Sequence, residues 1–368
     1  MKIVFFSSFL SPHMKPLCDI LYNHCDFTYV ETNELTKERR ELGYDFMETI
    51  PYIQNLSNDK KKQIKLADSA DCVIINTGAA DAGIVLNRIR NNKLTFFCNE
   101  RLFKKGIIKY ADPRLWKQWY VNLVAHKKNT FLLCIGYFVC QDFEKIGFDK
   151  NKSFRFGYFP KHERSVTYVE NTAIRIIWVG RMIDWKQPTF ALNIAQELEN
   201  RHIKYQIDMV GDGPMYSKVS EYRLLLKNPE AVSLHKTLSN SVVRQMMGNA
   251  DVLLMTSNKQ EGWGAVANEA MSNLTPVIAF ESVGAANYLI QSGYNGILCK
   301  DKSISEMVDA VEQIKKERNR YSENAGKTMD VWNAEIAAQR LLLVVSALYN
   351  GEEVPRFDSG PLSKITRY

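Results

Sequence analysis

The chain has few of the features that mark a disulfide-linked protein. Its seven cysteines are odd in number and scattered, and none of them form a Cys-x-x-Cys pair. Several lie in apolar runs such as TFFCNE and FLLCIG, where a reduced thiol behaves as a small hydrophobe. We therefore expect free buried thiols, a reducing cytoplasmic setting and no metal site.

Long hydrophobic runs are also missing. The longest candidates, Phe131–Cys140 and Leu341–Tyr349, are half the roughly 20 apolar residues that span a bilayer. The N-terminal MKIVFF runs straight into polar serines, without the apolar core and cleavage site of a signal peptide. It predicts a first core strand, in a protein that is soluble or peripheral to a membrane.

What the chain does have is the length and balance for about two globular domains. It has 368 residues, 45% hydrophobic and 24% charged, and no low-complexity tract. Residues 1–165 hold 26 lysines and arginines against 18 acidic residues, whereas the remainder holds 22 against 23, so the net charge of +7 arises in the first half. A basic half suits an anionic partner, such as nucleic acid, acidic lipid headgroups or a phosphorylated acceptor, but solvated lysines on exposed helices explain it equally well.

Buried-looking strands alternate with amphipathic helices in both halves. The apolar runs are continuous rather than alternating, as in a parallel sheet covered on both faces by helices. This pattern predicts an α/β protein with two doubly wound, Rossmann-like domains. We predict strands at Lys2–Phe6, Phe27–Val30, Cys72–Asn76, Leu94–Cys98, Phe131–Cys134, Ile174–Val179, Tyr205–Val210, Val232–Leu234, Val252–Met255 and Pro276–Ala279.

The domain boundaries follow from polar stretches. We place the first domain at 1–165 and the second at 170–334, with a seam between Pro160 and Asn171. A helix-like segment over 335–349 and an irregular tail to 368 are expected to pack back on the first domain. Ser303 and Glu306 have the spacing of a capping box and predict a helix start.

The densest chemical signal is QEGWGAVANEAM, residues 260–271. It follows the buried run DVLLMTS, so a strand leads through a loop with two glycines into a helix, where backbone N–H groups can face an anion. Glu261 lies in that loop and Glu269 about two turns into the helix. Carboxylates there accept hydrogen bonds from vicinal sugar hydroxyls. A carboxylate that only stabilises the N-terminus of the helix would explain one of the two glutamates. It would not explain two glutamates together with the two glycines.

Two further clusters follow strands. In WVGRMIDWKQP, Gly180 ends a strand, and Arg181 and Lys186 follow five residues apart, an arrangement that suits a diphosphate at the carboxyl edge of a sheet. In MVGDGP, Gly211 and Gly213 permit close backbone approach to a ligand, although the sequence is also a good turn.

Together these clusters resemble the donor half of the retaining GT-B glycosyltransferases of family 4, over roughly residues 174–300. That family has a GR…K element, a GxGP turn and two glutamates separated by seven residues, which Glu261 and Glu269 match. In the first half and the tail, SSFLSPHMKPL, NERLFKKG, FGYFP and FDSGPLSK look similar to members that assemble bacterial polysaccharides. The resemblance implies a GT-B fold of two Rossmann-like domains facing a cleft.

The resemblance also implies roles for these residues. Arg181 and Lys186 would bind the donor diphosphate, Glu269 the nucleotide ribose and Glu261 a hydroxyl of the transferred sugar. The reaction would need no divalent metal, because the two cations stabilise the leaving diphosphate. Backbone N–H groups of Gly262, Trp263 and Gly264 would contact sugar and phosphate. The other donor-binding residues are Gly180, Gly211 and Gly213.

The first half departs from the family pattern at two places. Ser7-Ser8-Phe9 stand where the family often has two glycines, and Asn99-Glu100-Arg101 stand where it often has a histidine facing the sugar. We predict Glu100 as the replacement polar contact or proton acceptor and Arg101 as a phosphate ligand. Ser8 and His13 are the other acceptor-side candidates, whereas His126 is expected to be structural.

The sequence thus predicts a retaining glycosyltransferase that moves a hexosyl or related group from a nucleotide-sugar to a glycan or lipid-linked acceptor in bacterial surface polysaccharide synthesis. We expect it in the cytoplasm, at the inner face of the membrane through its basic half. The alternative is a non-catalytic nucleotide-sugar-binding or assembly protein on the same fold. A nucleic-acid binder is disfavoured because no aromatic–basic motif of the RNP kind is present, and a phosphorylase or epimerase fits the EGWG…NEAM motif less well.

Overall fold

The computed structural model describes residues 1–37, 40, 46, 49–76, 78–106, 111–161 and 168–365. The chain divides into two compact units. The first unit comprises Met1–Lys161 and Trp332–Tyr368, and the second comprises His162–Val331. The sequence-based seam at 160–171 lies in part outside the described residues.

The first unit is built on a parallel sheet with the strand order β3-β2-β1-β4-β5-β6-β7. The central strands are apolar and almost fully buried, which is why their sequences lack alternation. The strands are β1 (Lys2–Ser7), β2 (Asp26–Glu31), β3 (Ile53–Asn55), β4 (Cys72–Asn76), β5 (Thr95–Asn99), β6 (Thr130–Ile135) and β7 (Ser153–Phe156).

Helices connect these strands, and aspartates begin three of them. Asp59, Asp81 and Asp112 are N-caps whose side chains accept hydrogen bonds from backbone N–H groups of the first turn. The helices are α1 (Lys15–His24), α2 (Lys60–Ser69), α3 (Ala82–Arg90), α4 (Pro113–Ala125) and α5 (Val139–Glu144).

The second unit repeats the plan with the strand order β10-β9-β8-β11-β12-β13, again all parallel. Its strands are β8 (Ile174–Val179), β9 (Tyr205–Val210), β10 (Val232–His235), β11 (Val252–Met255), β12 (Val277–Phe280) and β13 (Gly296–Cys299). Its helices are α6 (Thr189–Asn200), α7 (Tyr216–Arg223), α8 (Asn240–Asn249), α9 (Val266–Ser272), α10 (Ala286–Leu289), α11 (Ile304–Lys316) and α12 (Arg318–Met329).

All ten predicted strands are confirmed, to within one or two residues at their ends. Three strands in the described part of the chain were not predicted: β3, β7 and β13. Each lies at the edge of its sheet and is only three or four residues long. The sequences of β3 and β7, IQN and SFRF, lack the continuous apolar run that buried central strands show, so the pattern used for prediction did not find them, and the apolar run of β13, GILC, is short.

The capping box at Ser303 is half confirmed. The Ser303 hydroxyl accepts the N–H of Glu306 at 3.4 Å, as predicted. The Glu306 carboxylate, however, accepts the N–H of Lys300 at 2.9 Å, and the Ser303 N–H donates to the Lys300 carbonyl instead. In a capping box the Glu306 carboxylate would accept the N–H of Ser303. Here it accepts the N–H of Lys300 from the preceding turn instead.

The predicted helix-like segment is α13 (Ala334–Asn350), which buries Ala337, Leu341, Val344 and Val345. The following tail runs beside β7. Arg155 of β7 exchanges two backbone hydrogen bonds with it, donating to Ser363 at 2.9 Å and accepting from Leu362 at 2.7 Å.

One helical stretch among the described residues, Arg318–Asn350, could cross a membrane by length and composition. Its most apolar 18 residues have a mean hydropathy of 1.3, and 39% of them are buried. The apolar runs of the sequence predicted no such segment, because the longest of them are half the length that spans a bilayer. The stretch is two helices, α12 and α13, separated by the non-helical residues 330–333. The buried residues of α13 are typical of a core helix, which passes the same test.

The cysteines are all free, and all but Cys25 are buried. Burial raises the pKa of Cys299 to about 12 and that of Cys25 to about 11. These thiols stay protonated at neutral pH and pack as small hydrophobic groups, as the sequence suggested.

Candidate functional site

Three of the predicted site motifs lie on loops at one edge of the second sheet. The loops follow β8, β9 and β11, and their strands are neighbours in the order β9-β8-β11. Between β8 and β11 the strand order reverses. Open parallel sheets bind ligands at such a reversal, outside the carboxyl ends of the strands.

Lys186 and Glu261 meet at this edge. Lys186 ends a short 3-10 turn, Asp184–Lys186, and its Nζ lies 2.7 Å from Glu261 Oε2. The Ser257 hydroxyl donates to the same oxygen at 3.2 Å. The two charged side chains are 17% and 14% exposed, so solvent screens the pair only in part.

Hydrogen bonds between the two loops fix the position of Lys186. The Asn258 N–H donates to the Trp185 carbonyl at 2.8 Å. The Thr256 hydroxyl donates to the Lys186 carbonyl at 2.8 Å and accepts from Trp178 Nε1 at 2.9 Å. The charged pair therefore depends on backbone positions set by residues that the motif analysis did not single out.

Arg181 lies on the same loop as Lys186 but is exposed. Its guanidinium lies 5.9 Å from the centre of the Trp185 ring. The loop after β8 thus holds one cation in contact with a carboxylate and a second, exposed cation, both within seven residues of the strand end.

Glu269 lies on α9 and is partly buried. Burial raises the pKa of its carboxyl, and the positive charges of Arg244 and Lys186 act against this rise. Arg244, on α8, is a residue that the sequence analysis missed. It belongs to no motif, and only the packing of α8 beside α9 brings its charge to this carboxylate.

The glycines of the GDGP turn are required by contact between loops. Gly211 has φ +145°, and a Cβ there would lie 1.9 Å from the Gly180 carbonyl oxygen. Gly213 has φ +149°, and a Cβ there would lie 2.6 Å from the Met182 carbonyl oxygen. These glycines therefore let the loop after β9 pack against the loop after β8, a reason that does not involve a ligand.

Gly180, Gly262, Trp263 and Gly264 have structural surroundings of their own. A Cβ on Gly180 would lie 2.8 Å from Lys186 Cδ, so this glycine leaves room for the lysine side chain. Trp263 is 1% exposed, and its Nε1 donates to Asn268 at 2.8 Å. Its side chain belongs to the core, and the backbone contacts predicted for residues 262–264 stay a prediction.

The first unit has a cavity of about 910 Å³ at the carboxyl ends of its strands. All four of the acceptor-side and catalytic candidates from this half line it: Ser8, His13, Glu100 and Arg101.

Two of these candidates are held by neighbours. The Glu100 carboxylate accepts the Tyr158 hydroxyl at 2.7 Å and pairs with Lys104. Arg101 Nε lies 3.4 Å from the buried Asp142, whose pKa burial raises, and its guanidinium lies 4.6 Å from the centre of the Phe138 ring. The charge predicted to bind a phosphate thus already has a carboxylate partner.

Within the residues that the structure describes, no three His, Cys, Asp or Glu side chains are grouped in a way that could hold a metal ion.

The two parallel-sheet units together form a two-domain, Rossmann-like GT-B fold. HepE from Anabaena, crystallised with UDP, matches 94% of this chain and 100% of its own with a TM-score of 0.69 and 14% identity. The lipopolysaccharide outer core galactosyltransferase WaaB matches 95% and 99% with a TM-score of 0.67 and 15% identity. At such identities the likeness shows the fold alone.

The sequence comparisons identify the second unit more narrowly. Residues 161–328, which make up most of this unit, match the family Glycosyl transferases group 1. Alpha-D-kanosaminyltransferase from Streptomyces kanamyceticus is 28% identical over 153 residues, which are 41% of this chain and 39% of that protein. The chain thus spans less than half the length of this curated relative.

Proposed function

We propose that the protein is a glycosyltransferase that binds a nucleotide-sugar in its second unit and transfers the sugar to an acceptor bound by its first unit. The observation that carries the proposal is the Lys186–Glu261 pair, with Arg181 on the same loop and Glu269 nearby. Cations and carboxylates at the reversal of a parallel sheet suit a ligand that combines a diphosphate with sugar hydroxyls. The group 1 domain over residues 161–328 supports this assignment.

In the proposed reaction, the acceptor hydroxyl oxygen attacks the anomeric carbon and the bond from that carbon to the diphosphate oxygen breaks. Arg181 and Lys186 stabilise the negative charge on the leaving diphosphate, so that no divalent metal is required. Glu261 holds a hydroxyl of the sugar and Glu269 the ribose. The acceptor attacks from the face that the diphosphate leaves, and a diphosphate oxygen takes its proton. Configuration is therefore retained without a covalent intermediate, as in family 4.

The proposed acceptor is a glycan or lipid-linked intermediate of bacterial surface polysaccharide synthesis. The large cavity of the first unit, with its hydroxyl, imidazole and carboxylate groups, supports a polar acceptor there. We place the protein in the cytoplasm, at the inner membrane face, on the strength of the charge excess in residues 1–165. Anabaena HepE has been crystallised with UDP and UDP-glucose, which makes UDP-sugars the first donors to try.

The test is a thermal-shift series with UDP, GDP, ADP, CMP and dTDP in the presence of EDTA. A ligand at 100 times its Kd stabilises the native state by about 2.7 kcal/mol, which is a visible shift. We expect one nucleotide to give this shift and Lys186→Met to lower its affinity at least about tenfold. Lys259→Met, an exposed lysine of the neighbouring loop, is the matched control and should bind as the wild type does.

Transfer itself is tested with the sugar derivative of that nucleotide and candidate acceptors, with the anomeric configuration of the product read by NMR. Turnover in EDTA with retained configuration is the expected result. Absence of a shift with every nucleotide in folded protein, or equal binding by Lys186→Met, would contradict the proposal. Nucleotide-sugar binding without turnover on any acceptor would favour the non-catalytic alternative.

A further inference from the structure

Helix α4 carries a row of exposed apolar side chains. Trp116, Trp119, Tyr120 and Leu123 are between 49% and 66% exposed. Their spacing of three, four and seven residues places them on one face of the helix. Single exposed hydrophobic residues are common on protein surfaces, but four on one helix face form a continuous patch.

The folding of the first unit accounts for this row only in part: Trp119 and Leu123 lie beside Gly147, where a Cβ would be 3.7–3.8 Å from them, yet both side chains stay 49% exposed. The opposite side of α4 packs into the first unit through Leu115, Val121, Asn122 and Ala125. The helix is therefore apolar on two sides, and one of them is sufficient for its attachment. An amphipathic helix that only covers a core would present polar residues on its outer side.

The helix that carries the exposed row is basic. Acidic neighbours include its N-cap Asp112, which pairs with Arg114 at 2.9 Å, and Asp81, whose carboxylate interacts with the charge of Lys117. Residues 113–128, PRLWKQWYVNLVAHKK, contain Arg114, Lys117, Lys127 and Lys128 and no aspartate or glutamate. Arg114, Lys117 and Lys127 are exposed. Tryptophan and tyrosine favour the boundary between water and hydrocarbon, where their rings are buried while their polar atoms stay hydrated. Lysine and arginine beside such rings are attracted to anionic headgroups.

We propose that the outer face of α4, defined by Trp116, Trp119, Tyr120 and Leu123, is a docking surface for a lipid bilayer with anionic headgroups. The helix lies along the interface with these four side chains among the headgroups and upper acyl carbons. Lys117, Lys127 and Lys128 contact lipid phosphates. This surface deepens the membrane placement in the proposed function, which rested on the charge of the first half alone.

The experiment is co-flotation of the full chain with vesicles of phosphatidylcholine containing about 30% phosphatidylglycerol, compared with phosphatidylcholine alone. We expect binding to the anionic vesicles, weaker binding to neutral ones, and a loss of binding as salt rises. The double substitution Trp116→Ser and Trp119→Ser should weaken binding at least about tenfold. The matched control is Leu224→Ser with Leu225→Ser, two exposed leucines of the second unit, which should bind as the wild type does.

A second pair of variants separates the charges of this surface from the charge of the whole half. Lys117→Gln with Lys127→Gln should weaken binding to anionic vesicles several-fold. Lys61→Gln with Lys62→Gln removes two exposed lysines from α2 and should have little effect. Equal loss in both pairs would show that overall charge, and not α4, directs the protein to the membrane, and would overturn the proposal.

Other results would assign the surface to a different occupant. Wild-type protein that ignores anionic vesicles overturns the proposal. If vesicle binding is absent, two further results would identify the other occupant. A dimer that the tryptophan substitutions dissociate would assign the surface to a second copy of the chain, and salt-dependent binding of an oligonucleotide would assign it to a nucleic acid. Nucleotide binding by each variant is measured separately by thermal shift. A failed vesicle experiment with intact nucleotide binding therefore contradicts the docking surface and leaves the proposed donor site standing.

Discussion

A lysine and a glutamate from separate loops form the centre of the candidate donor site. In the structure the carboxylate of Glu261 balances the charge of Lys186, with Ser257 donating to the same oxygen. A bound diphosphate would give Lys186 a second anionic neighbour, while Glu261 keeps an oxygen for a sugar hydroxyl. In the proposed complex, the Lys186–Glu261 pair would therefore link recognition of the donor phosphate to recognition of the sugar.

Glu261→Gln should separate these two roles. The amide still fills the site but no longer carries the charge that attracts Lys186. We expect affinity for the nucleoside diphosphate to be kept or increased, whereas affinity for the nucleotide-sugar and turnover fall at least about tenfold. Loss of the pair should lower the free energy of unfolding by about 1 kcal/mol. Calorimetric titration with both ligands checks this, and parallel losses for the two would contradict it.

The environment of Glu269 predicts a pH dependence. Its raised pKa means that the native state disfavours the carboxylate, so protonation begins closer to neutrality than for an exposed glutamate. A protonated carboxyl is a poorer acceptor for ribose hydroxyls, so nucleotide affinity should fall as pH is lowered through that raised pKa. Titrations from neutral pH down to the ordinary pKa of glutamate measure this fall, and Glu269→Gln should bind more weakly at neutral pH and lose the dependence.

Stability should respond in the opposite sense. The Glu269 carboxylate costs free energy in the native state above its raised pKa, and this cost disappears below the ordinary pKa of glutamate. Glu269→Gln should therefore gain stability relative to the wild type as pH rises through that window. Urea unfolding of both proteins at several pH values gives the comparison. A constant difference at all pH values would show that the carboxyl is not perturbed.

At the scale of the elements, the loops of the donor site were predicted as ligand-binding loops, but they are also packed against each other. The glycines of VGDGP were read as places where a ligand could approach the backbone. The structure shows that the backbone of the neighbouring loop already lies there. Sequence identifies a glycine, but the atom that a Cβ would meet is set by how adjacent strand ends pack.

Gly211→Ala should therefore destabilise the second unit strongly. The substitution combines a left-handed backbone with a Cβ 1.9 Å from the Gly180 carbonyl oxygen, and we expect a loss of more than about 2 kcal/mol. Gly293→Ala is the matched control, because Gly293 also has a positive φ, +83°, but open space around its Cβ position. It should cost about 1 kcal/mol. Equal urea midpoints for the two variants would rule out the loop contact as the cause.

At the scale of the whole molecule, the first unit is made from two separate parts of the chain. Helix α13 and the tail belong to it, although more than 160 residues of the second unit intervene. The tail pairs with the edge strand β7 and buries Leu362 completely. Covering an edge strand in this way also removes a row of unpaired backbone groups from solvent.

The tail should contribute measurably to the stability of the first unit. Leu362→Ala removes a fully buried side chain and should cost about 2–4 kcal/mol. Leu343→Ala removes a leucine from α13 that is 53% exposed and should cost under about 0.5 kcal/mol. Urea unfolding followed by circular dichroism distinguishes them. A loss below about 0.5 kcal/mol for both would mean that the tail is held too loosely to stabilise the unit.

The sequence by itself determined the fold class, ten of the strands and the positions of the motifs in the candidate donor site. These features are local: a continuous apolar run predicts a buried strand, and residues after it lie at the carboxyl edge of a parallel sheet. The spacing of Glu261 and Glu269 and the order of the motifs were enough to indicate a resemblance to glycosyltransferases, and residues 161–328 match a glycosyltransferase family.

Only the tertiary structure decided which of those residues touch. Three contacts join residues that are distant in sequence, and they depend on strand order and helix packing. They are the contacts of Lys186 with Glu261, of Arg244 with Glu269 and of Arg101 with Asp142. The exposure of one face of α4 depends equally on which side the fold buries, since the helix is apolar on both. Three edge strands, β3, β7 and β13, and the pairing of the tail with β7 were not predicted for the same reason: their neighbours, and not their own sequences, determine their structure.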